Sequence, residues 1–248
     1  MKKSEKTTLK LQLNGQWVQV QAIQERRASL RAATGRQGLI FRMPLGLSES
    51  QRRQAWEWFH QWALTALQKQ PELLSRARGK EYRDGDLLQV GSRVYRLALE
   101  FSARQTHTGR LLPGNEIRLH LVETGDDFSR NQAVKTLLSR LIAKDFFPEV
   151  NRRVHELNHL FFKAPIQGIR LKYLSSKWGS CSSRGNINLS TRLLFAPQEV
   201  VDYVIVHELA HLMEMNHSDR FWKIVREAMP GYKEQERWLK AHGGACDF

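Results

Sequence analysis

His207-Glu208-Leu209-Ala210-His211-Leu212-Met213-Glu214-Met215-Asn216-His217 is the stretch that decides the reading. It is HExxH followed six positions later by a third histidine. On a helix, His207 and His211 leave the same face about one turn apart. Two imidazoles at that separation can grip one zinc ion at roughly 2.0–2.1 Å each. Glu208 sits beside the first ligand, placed to take a proton from water at the metal. His217 is a third ligand and leaves one position open, as a catalytic zinc site needs. The expected cofactor is a single zinc ion. Asn216 tolerates the left-handed conformation that ends helices. Ser218 is a good N-cap, with Asp219 in the first turn that follows. The helix is therefore expected to stop near Glu214 and His217 to swing back. Glu214 is a weaker substitute ligand.

HExxH occurs twice, and context chooses between the copies. His155-Glu156-Leu157-Asn158-His159 has no Asp, Glu or His after it until Glu199. Its approach, Asn151-Arg152-Arg153-Val154, is polar and reads as an exposed helix face. The approach to His207, Val200-Val201-Asp202-Tyr203-Val204-Ile205-Val206, is almost wholly apolar and reads as a buried helix. Buried supports fix ligand orientation.

The chain has 248 residues, enough for one substantial core or two small ones. It shows no secretory signal and no apolar run near the ~20 residues of a membrane span. Cys181 and Cys246 make no disulfide framework. A cytoplasmic protein without membrane association is expected. The net charge of +14 is uneven. Residues 1–170 carry 29 Lys and Arg against 16 Asp and Glu, and residues 171–248 carry 10 against 9. That field attracts polyanions and leaves nucleic acid or a nucleotide open as a partner of the basic part.

Alternating residues 9–13 and 17–20 flank Asn14-Gly15, a hairpin signal. Further strands are expected at 29–33, 39–43, 87–90, 94–101 and 117–122, with a helix at 49–69. Residues 131–161 read as helix, broken or kinked by Pro148. Then come strands at 169–174 and 186–193 and helices from Gln198, Ser218 and Tyr232. No internal repeat is visible. The fold class is α+β: a basic β-rich module with one amphipathic helix over 1–125, then a hydrolase domain with a small sheet over 126–248. The alternating 186–190 strand is the candidate for pairing with an extended substrate. Trp178, Ser180, Asn186 and Asn188 are the candidate cleft residues. Tyr232 and Lys177 are candidate oxyanion stabilisers. Cys181 reads as a small buried thiol.

Lys177-Trp178-Gly179-Ser180-Cys181-Ser182-Ser183, Gly185-Asn186-Ile187, Phe195-Ala196-Pro197, Asp202-Tyr203-Val204, HExxH at 207–211 and Asn216-His217-Ser218 with Phe221-Trp222 resemble the YgjP-like metallopeptidase domain family. The match runs from about Gly168 to Gly243. The resemblance implies a zincin-type catalytic fold, His207, His211 and His217 as metal ligands, and Glu208 as general base acting on a protein or peptide. The histidine spacing is also similar to WLM and SprT-like proteases. Metzincins share it but have glycine where Glu214 stands. Some members of the family are associated with nucleotide pyrophosphate hydrolysis, so a UTP-type nucleoside triphosphate pyrophosphohydrolase is the alternative at the same site.

Overall fold

The computed structural model describes residues 4–13, 15–35, 38–69, 80–103, 105–123 and 127–248. It is an α+β fold in two compact units, Met1–Glu81 and Tyr82–Phe248.

The first unit opens with the expected hairpin, β1 (Ser4–Leu13) and β2 (Gln16–Glu25), in antiparallel register from Ser4↔Glu25 to Leu13↔Gln16. Gly15 takes φ +75°, which the turn requires and glycine adopts freely. Asn14 lies outside the described residues. β3 (Arg31–Gly35) and β4 (Gly38–Pro44) complete a sheet ordered β1-β2-β4-β3, with β2 and β4 parallel. Helix α1 (Glu49–Lys69) packs on one face. Ala55, Phe59, Ala63 and Leu67 fall at helical spacing and are buried with Val18, Val20, Leu39, Phe41 and Met43. Phe59 stacks on Phe41 at 4.5 Å between ring centres.

In the second unit, β5 (Leu87–Val90), β6 (Arg93–Ser102), β7 (Thr108–Leu112) and β8 (Glu116–Val122) form a sheet ordered β5-β6-β8-β7. Its pairing senses repeat those of the first sheet: antiparallel, parallel, antiparallel. Each sheet is followed by a long helix, so a four-strand-plus-helix topology occurs twice. The sequence showed no repeat because topology is carried by burial pattern and turns, and the two copies fill them with different residues.

The helix after β8, α2 (Asp127–Leu157), runs 31 residues and is not broken at Pro148. Proline removes one backbone bond at about 3 kcal/mol or more. Burial of Val134, Leu138, Ile142, Phe146, Val150 and Val154 offsets that loss. A π turn (Asn158–Phe162) ends it. Tyr95, Leu97, Ile117, Leu119 and Leu121 from the second sheet share one core with α2 and with the later elements. The division expected at 125/126 falls on undescribed residues and would cut that core. The units separate instead at Glu81 and Tyr82.

The remaining elements are β9 (Gly168–Lys172), β10 (Gly179–Cys181), β11 (Asn186–Ser190), a 3-10 turn (Thr191–Phe195), and helices α3 (Gln198–Ala210), α4 (Asp219–Ala228) and α5 (Tyr232–His242). The small sheet is ordered β10-β11-β9, so β11 lies in the middle and β10 on the edge. The substrate-pairing role expected of 186–190 therefore finds no open strand edge there, because both flanks of β11 are already bonded. Among the described residues, no helix is long and apolar enough to cross a membrane.

Candidate metal centre

Helix α3 is buried nearly all round, from Val200 to Ala210. Asp202 anchors it. Arg153 on α2 donates from Nε to Oδ1 at 2.9 Å and from Nη2 to Oδ2 at 2.6 Å, and the Gln198 amide donates to Oδ1 at 2.8 Å. A two-point bond of this kind fixes rotation as well as position. The regular helix ends at Ala210, one turn before the expected stop. The chain then tightens, with Met213 N–H and Glu214 N–H both donating to the Ala210 carbonyl. His211, at the cap, donates from Nδ1 to the Glu214 carbonyl at 3.2 Å. That bond leaves Nε2 with its lone pair, the form a metal ligand needs. It also commits the backbone of Glu214, the substitute ligand, to orienting His211.

His217 does swing back. Its Nε2 stands 3.0 Å from Nε2 of His207, and one ligand nitrogen from each of His207, His211 and His217 lies within 4.8 Å of the others. Two nitrogens sharing a tetrahedral zinc at roughly 2.0–2.1 Å stand about 3.3 Å apart. The set therefore fits one small divalent cation. Ser218 caps α4 as expected, its hydroxyl accepting from Phe221 N–H at 3.3 Å. The cap delivers Phe221 to the triad, where its buried ring meets all three imidazoles at 4.6–4.9 Å. Trp222 lies against His207 and His217 and stacks on Tyr232, and Tyr203 packs on His207 and on Tyr232. Burial, then the neighbouring imidazoles, push His207 down to about 4, and burial likewise lowers His211. Both rings are neutral at pH 7, as ligands must be.

Glu208 is 5% exposed and points under β10. Burial raises its carboxyl to about 7, against the opposing pull of Lys177 and of the Cys181 backbone N–H that bonds it. Gly179 is required here: a Cβ at that position would lie 2.5–2.8 Å from the Glu208 side chain. Burial and Glu208 push the Cys181 thiol up to about 11, so it is a neutral thiol.

The cleft candidates separate. In β10, Gly179 and Cys181 turn toward Glu208, so Ser180 turns away and pairs with Asn188, whose amide donates to its hydroxyl at 3.3 Å. Asn186 shares that outer face of β11 and approaches Gly168. Trp178 lies under the Arg192 guanidinium at 4.1 Å and against Gly243, a packing role. Tyr232 belongs to the aromatic stack behind His207. Sequence reasoning missed Gly179, the Cys181 N–H and the ring of Phe221, Trp222 and Tyr203. The motif quoted around Gly179 contains the first two without showing what they face. The other HExxH copy is split. Its His155 is in α2 and His159 in the π turn, both exposed, and Glu156 pairs with Arg152 and Arg153.

A mixed α+β scaffold carrying three converging histidines beside a buried carboxyl group is that of a metal-dependent hydrolase. The chain belongs to the YgjP-like metallopeptidase domain family, which it matches over residues 11–242. No curated protein matches it. Among solved structures it is similar to the metallopeptidase zymogen abylysin of Pyrococcus abyssi, at 27% identity over 37% of this chain and 93% of that one, with a TM-score of 0.34. It is also similar to the metallopeptidase zymogen jannalysin of Methanocaldococcus jannaschii, at 22% identity over 37% and 94%, with a TM-score of 0.34.

Proposed function

We propose that this metal-dependent peptidase uses zinc held by His207, His211 and His217, with Glu208 as general base. The observation that carries the reading is the convergence of three ligand nitrogens within 4.8 Å beside a buried carboxyl raised to about 7. When bound, the ion supplies positive charge that polarises a scissile carbonyl and makes water more acidic. Ionised Glu208 accepts the proton of the attacking water and passes it to the leaving amine. The Cys181 N–H and the missing Cβ of Gly179 hold that carboxylate in place. Among the described residues, the outer edge of β10 has no strand beside it, and an extended peptide pairing there would cross above Glu208. Cys181 and Cys246 make no disulfide framework, which supports a cytoplasmic setting.

One reaction mixture tests the reading: an unfolded protein and the nucleoside triphosphates, treated with zinc-loaded enzyme or its Glu208→Ala variant and read by mass spectrometry. New peptides that vanish with the variant are expected. Monophosphate and pyrophosphate without new peptides would replace the peptidase by a nucleotide pyrophosphohydrolase.

A further inference from the structure

We propose that the helix-free face of the β1-β2-β4-β3 sheet binds single-stranded nucleic acid. Strand alternation puts Leu9, Leu11, Val18, Val20, Leu39 and Phe41 on the α1 side. The opposite residues form rows set by the register. Lys6, Ile23, Arg42 and Arg31 make one row across all four strands. Thr8, Gln21, Ile40 and Ala33 make the next, followed by Lys10 beside Gln19 and Gln12 beside Trp17. Lys6, Lys10 and Arg31 are exposed, and Trp17 is 59% exposed. Among the described residues, the one carboxylate on this face is Glu25, at the end of β2 between Arg27 and Arg42.

Charge complementarity selects the occupant. Residues 1–81 contain 15 Lys and Arg against 6 Asp and Glu. The repeated topology supplies an internal control. On the corresponding face of the second sheet, Arg118 lies between Glu116 and Glu100, Glu100 also meets His120, and Arg96 and Arg110 are the register partners of Glu116 and Arg118. The same architecture there carries three arginines against two glutamates, where the first sheet carries Lys6, Lys10, Arg31 and Arg42 against Glu25, so the larger excess on the first sheet is not demanded by the fold. A single strand needs phosphates met by cations and bases met by a ring or amides. The open face offers a cationic row, then three glutamine amides, then an exposed indole about 20 Å from Lys6 along the strand. The exposed Trp17 ring matches the stacking that sequence-tolerant single-strand binders use. This surface lies in the first unit, while the histidine triad lies in the second.

The test is fluorescence anisotropy of the full chain with labelled 12-mers of deoxythymidine and of uridine, and with a duplex of equal length, from 50 to 200 mM salt. Both single strands are expected to bind more tightly than the duplex. Trp17→Ala weakens binding about tenfold, as loss of one base stack does. Lys10→Glu with Arg31→Glu weakens it by a further factor of about ten or more and flattens the salt dependence. Arg52→Glu with Arg53→Glu on α1 makes the same net-charge change off this face and leaves most of the affinity. Preference for the duplex, indifference to Trp17→Ala, or equal loss from the α1 pair would overturn the proposal. Peptide cleavage is not read in this assay, so the peptidase reading stands or falls separately.

Discussion

Glu208 combines two demands, a base strength near neutrality and a fixed position, and both come from burial beneath β10. Its folded-state value of about 7 lies above its ordinary 4.5. In metal-free protein the group therefore favours the fold fully below about pH 4.5, and that contribution is lost as pH rises through about 7. Glu208→Gln should leave metal-free protein more stable than wild type at pH 8, by up to about 3 kcal/mol, with the gap closing near pH 5. Urea titrations at the two pH values check this, and an equal gap at both would contradict it. His207 runs the opposite way: its contribution is present above pH 6.5 and lost as pH falls toward about 4. Gly179→Ala places a methyl group in the space of the Glu208 carboxyl. It should lower kcat at least tenfold with zinc content unchanged, read by steady-state kinetics and metal analysis on the same preparation. The histidines proposed as ligands were legible because their spacing is local and helical periodicity fixes their face. Gly179 was not, since a glycine's reason lies in what approaches it across the fold.

At the scale of elements, the ion pair between Arg153 and Asp202 couples α2 to the ligand helix. Asp202 is buried, while Arg153 is about a third exposed. Arg153→Ala leaves a buried carboxylate without its cation and should cost about 2–3 kcal/mol, below the full value for a buried pair because solvent screens the arginine. Thermal denaturation reads it, and an unchanged midpoint would mean that α3 is held by apolar packing alone. Long periodic elements such as α1 and α3, and the 9–20 hairpin with its turn dipeptide, were plain in the sequence. β7 and β10 were not. Thr108-Gly109-Arg110 has no apolar alternation, and a three-residue strand gives periodicity nothing to act on. The edge position of β10 depends on which strands pair, and pairing is non-local.

The molecule as a whole joins its second sheet to the elements that carry the histidine triad through one core that runs from Tyr82 to Phe248. A fragment of residues 82–248 should fold cooperatively and keep the zinc site. A fragment of residues 126–248 should not, because it strips Tyr95, Leu97, Ile117, Leu119 and Leu121 from α2. Circular dichroism melts with zinc titration separate the two outcomes. Equal cooperativity in both fragments would return the boundary to 125/126, the expected end of the β-rich module. Core membership of this kind is not legible locally, because it depends on which elements pack together across the fold.

The most direct measurement of the central claim is zinc content and peptide cleavage in parallel on wild type, Glu208→Ala and His217→Ala. The account predicts one zinc per chain in the first two, cleavage in the first only, and greatly weakened zinc binding in the third. Full cleavage by Glu208→Ala, or zinc held as tightly by His217→Ala as by wild type, would contradict it.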